Sequence, residues 1–192
     1  MVGSETDRKP RTHEILQAAQ EAFARHGYKK TTLEDIADRL GMVKSALYYY
    51  YPNKQELFIA VIEYEVVLFF DTIRGLLSSV DSVEEKLIVY ARQSNKFHQD
   101  FHNLYNLTVD EIFQNYEGLI RVRNKFLGRN IDLIAEVLGD AKPPSYMPAS
   151  LAARLFLNML SGIFQSYQLE KKPVPDEDLV AFVTIFHRGL YR

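Results

Sequence analysis

Apolar side chains recur every three to four residues along almost the whole of this chain, a period that builds helices and leaves no room for a sheet. Ile15, Ala18, Ala19, Ala22 and Phe23 form one stripe on a first helix that stops at Gly27. Thr32 opens a second, short helix with Asp35 three residues on, the start of a capping box, and Ile36, Ala37 and Leu40 as its inner face. Gly41 is placed to end it, because glycine takes the left-handed cap conformation without steric cost. A third short helix is predicted over 44–50, with Leu47 and Tyr51 one turn apart and Pro52 as its stop. Asn53 with Glu56 caps a long helix running to about residue 77. Further helices are predicted over 82–101, 103–115, 117–138, 148–169 and 175–190, with 139–144 the clearest loop. No segment alternates with period two, and no internal repeat is present. The expected fold is all-α, with a three-helix domain over 1–53 followed by a larger helical domain over 54–192.

Charge divides the same way. The chain as a whole carries −2, but residues 1–54 hold nine Lys/Arg against seven Asp/Glu, and residues 55–192 hold fourteen against eighteen. A mildly basic first segment is compatible with phosphate contact, which whole-chain charge does not exclude. Cysteine is absent, which removes disulfides, thiolate metal sites and a cysteine nucleophile. The most apolar run, 57–70, is broken by Glu63 and Glu65 and is too short to span a bilayer. No basic stub precedes an apolar run at the start, so no signal peptide and a cytoplasmic location are expected.

The turn between the second and third helices is only Gly41-Met42-Val43, the spacing of a helix-turn-helix whose second helix enters the major groove of DNA. With Leu47 and Tyr51 inward, Lys44, Ser45, Ala46, Tyr48, Tyr49 and Tyr50 are left largely outward. Three adjacent outward tyrosines suit DNA, where phenols bond phosphates and rings meet sugars and thymine methyls. The competing reading buries them against the larger domain.

Thr31-Thr32, Ile36-Ala37, and then Gly41-Met42-Val43-Lys44-Ser45-Ala46-Leu47-Tyr48-Tyr49-Tyr50-Tyr51-Pro52-Asn53-Lys54 with Glu56-Leu57 resemble the N-terminal signature of TetR-family transcriptional regulators. The resemblance covers residues 11–58. It implies a homodimer binding a palindromic double-stranded operator, and a C-terminal domain that binds a small effector and releases DNA. It also implies that Thr32 caps the second helix near a phosphate and that Lys44, Ser45 and Ala46 lie toward base edges. Tyr48, Tyr49 and Tyr50 would touch backbone and neighbouring bases, and Lys54 a phosphate at the start of the fourth helix. Val43 stands where the family usually has a hydroxyl N-cap, and Ala46 replaces a more usual threonine; both bear on which operator is read.

Eighteen of the 24 aromatic residues lie beyond residue 54. Simple core packing accounts for several. A largely apolar effector pocket is expected among Phe69, Arg92, Phe97, Phe101, His102, Tyr105, Phe113 and Tyr116, with the polar members as anchors. The last two helices are apolar on more than one face, which points to a four-helix interface with a second copy through Phe156, Leu160, Phe164, Phe182 and Phe186. His98 and His102 share a helix face at the spacing of paired metal ligands, but no third ligand sits at a supporting distance in sequence, so no metal and no cofactor are expected. The rival functions are a metalloenzyme using those histidines and a helical small-molecule-binding module without DNA activity. Neither a phosphate-binding glycine loop nor a nucleophile elbow is present to favour an enzyme.

Overall fold

The computed structural model describes residues 5–105, 117–139 and 147–191, with side chains over 11–100, 117–139 and 147–191. Among them are eight helices and no strand: α1 (Glu5–Lys30), α2 (Leu33–Arg39), α3 (Lys44–Tyr50), α4 (Lys54–Leu77), α5 (Val83–Tyr105), α6 (Glu117–Gly139), α7 (Ala149–Leu169) and α8 (Asp176–Tyr191). The all-α expectation holds. The predicted end of the fifth helix near residue 101 does not, because α5 continues to Tyr105. The segment predicted over 103–115 lies mostly outside the described residues. Contacts divide the chain into two compact units, Met1–Leu68 with Asp100–Val122, and Phe69–Gln99 with Arg123–Arg192.

In the first unit the predicted stripe of α1 is buried at Ile15, Ala19, Ala22 and Phe23, together with Leu33, Ile36 and Ala37 of α2, Leu47 of α3 and Leu57, Phe58, Val61 and Ile62 of α4. Gly27 breaks α1 with φ 76° and ψ 156°, and helical hydrogen bonding resumes to Lys30. Buried Thr31 closes that break, its hydroxyl donating to the Gly27 carbonyl at 2.9 Å. The Phe23, Tyr28 and Phe58 rings meet across α1 and α4, Tyr28 and Phe58 with centroids 4.5 Å apart. Gly118, in the first turn of α6, lies so close to Ile59 of α4 that a Cβ would stand 2.4 Å from the Ile59 Cδ1.

The second unit buries Phe69, Phe70, Ile73 and Leu77 of α4 with Leu87, Tyr90 and Ala91 of α5 and Leu133, Ile134, Val137 and Leu138 of α6. α7 and α8 add Ala152, Ala153, Phe156, Leu160, Phe164, Leu179 and Val183. A polar pair sits inside this apolar shell. The Tyr90 hydroxyl donates to Asn130 Oδ1 at 2.5 Å, and Asn130 Nδ2 donates to the Phe126 carbonyl at 2.8 Å. Burial pushes the Tyr90 phenol far above its ordinary value, so it is a neutral donor throughout the working pH range.

Candidate nucleic-acid interface

The helix-turn-helix is closed at both ends of α2 by its own residues. Thr32 accepts from the Asp35 amide at 3.2 Å, and the Thr32 amide donates to Asp35 Oδ2 at 2.8 Å, the reciprocal box expected from the sequence. The Thr32 hydroxyl also donates to Asp35 at 2.7 Å. Those bonds from Thr32, with a lesser contribution from His26, hold the Asp35 carboxyl below its ordinary value. At the other end Gly41 takes φ +60°, the Gly41 amide donates to the Asp38 carbonyl at 3.1 Å and the Met42 amide to the Ala37 carbonyl at 2.9 Å. That paired bonding is a Schellman turn, and a side chain at Gly41 would be strained in it.

α3 begins without a side-chain cap, since Val43 has no group to offer and is 71% exposed. Leu47 is fully buried and fixes the roll of the helix. Lys44, Ser45, Tyr48 and Tyr49 consequently face outward, Tyr49 at 64% exposure and Tyr48 at 39%, while Ala46 and Tyr50 are half-buried. The Tyr49 and Tyr50 rings meet edge to face at 5.5 Å. Lys44 pairs with Glu34 of α2 and lies 5.5 Å from the Tyr48 ring centre. Sequence reasoning missed that carboxylate, whose position in the first turn of α2 is a signal only once the two helices are folded together.

Lys54 sits elsewhere. Its ammonium donates to the carbonyls of Tyr28 at 2.9 Å and Thr31 at 3.0 Å, lies 3.5 Å from that of Lys29, and stands 4.5 Å above the Tyr28 ring. Asn53 caps α4 as expected, accepting from the Glu56 amide at 2.8 Å.

Of the residues expected around an effector, Phe69 is buried and packs against Phe70, Tyr90, Phe97 and Phe126, the nearest ring centre being that of Phe97 at 4.9 Å. Arg129 lies over the Phe70 face at 3.9 Å. Arg92 is bound in a bidentate pair to Asp176 of α8, both bonds 2.6 Å, with its head half exposed. The side chains of Phe101, His102 and Tyr105 and all of Phe113 and Tyr116 lie outside the described residues. His98 stacks on Phe164 at 5.4 Å and approaches Gln168 Oε1 at 3.3 Å. Among the described residues no group of three or more His, Asp or Glu is gathered as a metal site.

Three of the five residues expected at an interface are core of the single chain. Phe156, Leu160 and Phe164 are buried within the single chain, at 0%, 2% and 8% exposure, so they are not available to a second copy. The reason is an inner aromatic seam, in which Phe156 stacks on Phe182 at 5.3 Å and meets Phe186 edge-on at 5.2 Å. Phe182 and Phe186 are half-buried in that seam. The uncovered large apolar side chains of the pair are Leu151, Leu155, Met159 and Leu169 of α7 and Ile185 of α8.

An exposed aromatic helix behind a tight glycine turn defines a helix-turn-helix DNA-binding protein. Residues 15–61 match the family described as bacterial regulatory proteins, tetR family, so this N-terminal segment is a DNA-binding domain of the TetR type. It is 23% identical over 155 residues to the fatty acid metabolism regulator protein of Bacillus subtilis, covering 81% of this chain and 80% of that one. A crystal structure of a transcriptional regulator from Cytophaga hutchinsonii superposes with a TM-score of 0.79 at 25% identity, over 93% of this chain and 97% of the other. The transcriptional regulator FadR of Bacillus subtilis, solved in complex with stearoyl-CoA, shares the fold with a TM-score of 0.68 at 20% identity, again over 93% and 97%. No helix among the described residues is long and apolar enough to cross a membrane.

Proposed function

We propose that this regulator is a cytoplasmic repressor rather than an enzyme, that it binds a palindromic operator as a homodimer, and that a small, largely apolar effector releases it. The observation that carries the reading is the outward face of α3. Two tyrosines, a serine and a lysine stand in solvent there on a helix whose only buried anchor is Leu47. Residues 1–53 act as the reading head and 54–192 as the effector and dimer domain. Thr32, Tyr48, Tyr49 and Tyr50 contact the backbone; Lys44, Ser45 and Ala46 approach base edges, Lys44 exchanging Glu34 for a base acceptor.

The second copy docks on Leu151, Leu155, Met159 and Ile185, a contiguous-spacing stripe on α7 extended by α8. For the effector, a long acyl chain is favoured, supported by the names of two relatives that concern fatty acids and stearoyl-CoA. The Phe69, Phe97 and Phe126 cluster supplies an apolar wall of the right chemistry.

Selection of duplexes from random-sequence DNA with the full chain tests the reading. It should return an inverted repeat with half-sites about one helical turn apart. With on the order of 6–10 phosphates touched per dimer, affinity should fall by about 10³ or more between low and moderate salt. A series of acyl-CoA thioesters should raise the melting temperature and release the duplex. Recovery of no repeat would refute the operator, and thermal stabilisation without release would refute the effector's role.

A further inference from the structure

The ammonium of Lys54 has three protons to donate, and the first unit already offers them acceptors. Two are carbonyls at good distance, Tyr28 at 2.9 Å and Thr31 at 3.0 Å, and a third, Lys29, lies at 3.5 Å. All three follow the break at Gly27, in the last residues assigned to α1 or the residue after it, so the ammonium gathers the carbonyls of one short stretch of chain. The Tyr28 ring face, 4.5 Å away, completes the enclosure, and that ring is itself held by Phe58 of α4. Chain direction explains why this matters for reading DNA. Only residues 51–53 separate the last residue of α3 from Lys54, so whatever fixes Lys54 fixes the elbow from which α3 projects. Next to it, Lys29 and Lys30 are exposed, so the region does not depend on Lys54 for positive charge.

We infer that Lys54 is a positioning residue for operator binding rather than a phosphate ligand: it latches the start of α4 to the carbonyl end of α1 and so sets the angle at which α3 meets the groove. The expected phosphate contact would require it to give up carbonyl bonds that hold this elbow. The two roles separate in salt dependence, since a phosphate ligand releases counterions and a latch does not.

The experiment compares full-length wild type, Lys54→Met and Lys54→Arg on the inverted-repeat duplex selected by the wild type, titrated across a salt series well below each protein's melting temperature. Methionine keeps the apolar stem and removes the donors. Arginine keeps the charge and serves a phosphate well, but its planar fork does not fit three converging carbonyls. The latch predicts that Lys54→Met binds about tenfold or more weakly at every salt concentration, as loss of charge-assisted bonds implies. The slope against log salt should stay at its wild-type value, and Lys54→Arg should fail to restore affinity. A slope reduced by about one for each lost contact, with Arg restoring affinity, would make Lys54 a phosphate ligand and overturn the inference. Wild-type affinity in both variants, with only the melting temperature lowered, would reduce it to a structural tether and overturn it equally. If Lys54→Met does not fold, Lys54→Arg decides alone: weakened binding at the wild-type slope supports the latch, and wild-type affinity ends it.

Discussion

α3 and the α7–α8 pair are both rich in aromatic residues, and the structure uses them in opposite ways. On α3, Tyr48 and Tyr49 stand in solvent around a single buried leucine. On α7 and α8, Phe156, Phe182 and Phe186 turn inward to form a seam, and smaller aliphatic residues are left outside. The difference teaches that aromatic density marks neither core nor interface by itself. The phenol is what separates the two regions, because its hydroxyl tolerates water on one side and a phosphate on the other, whereas a phenylalanine loses stability when uncovered.

That contrast breaks first at Phe156. Truncation to Ala leaves a cavity in the seam and should cost about 3–5 kcal/mol in urea unfolding. A loss below about 1 kcal/mol, the level of an ordinary surface change, would mean that the seam is not core. Next, Met159→Glu combined with Ile185→Glu alters only uncovered positions, so the protein should fold and melt normally but run as a monomer in light scattering. A dimer that survives both charges would move the interface elsewhere. Tyr49→Ala should leave stability within about 0.5 kcal/mol of wild type, as an uncovered side chain would, yet weaken the selected duplex by about 1–3 kcal/mol. Equal affinity would show that the tyrosine face is not against DNA. The smallest effect belongs to Thr32→Ala, which removes the cap of α2 and should cost about 1 kcal/mol. Because the Asp35 carboxyl is held below its ordinary value of 3.8, its contribution is complete above that value and is lost as pH falls through the lowered one. Thermal melts of wild type and Thr32→Ala should therefore draw closer in strong acid, the remaining gap being the bond from the Asp35 amide to the Thr32 hydroxyl, which does not titrate; a gap of constant size across pH would mean that the hydroxyl does not act through the carboxylate.

Much of the reading head was legible because its signals are local. Gly41 requires a left-handed cap, Thr32 and Asp35 answer each other three residues apart, and Ile15, Ala19, Ala22 and Phe23 recur on one face. What periodicity does not carry is the partner of a side chain that leaves its own helix. Lys44 finds Glu34, Arg92 finds Asp176 across 84 residues, and Lys54 finds the end of α1, and each pairing depends on how helices pack rather than on any spacing. The burial of Phe156, Leu160 and Phe164 escaped the sequence for a related reason. A helix apolar on several faces announces that more than one neighbour exists, but Phe156 and Met159, three residues apart, differ in destination only once α8 is in place.

The closure of α2 has a consequence for how such a protein diversifies. Both ends of that helix are finished by Thr32, Asp35 and Gly41, and none of these belongs to the outward face of α3. Ser45, Tyr48 and Tyr49 can therefore be exchanged one at a time with little expense to the scaffold that presents them. If that face reads DNA as proposed, a lineage can drift from one operator to another through intermediates that all remain folded, with stability and sequence preference inherited almost as separate traits.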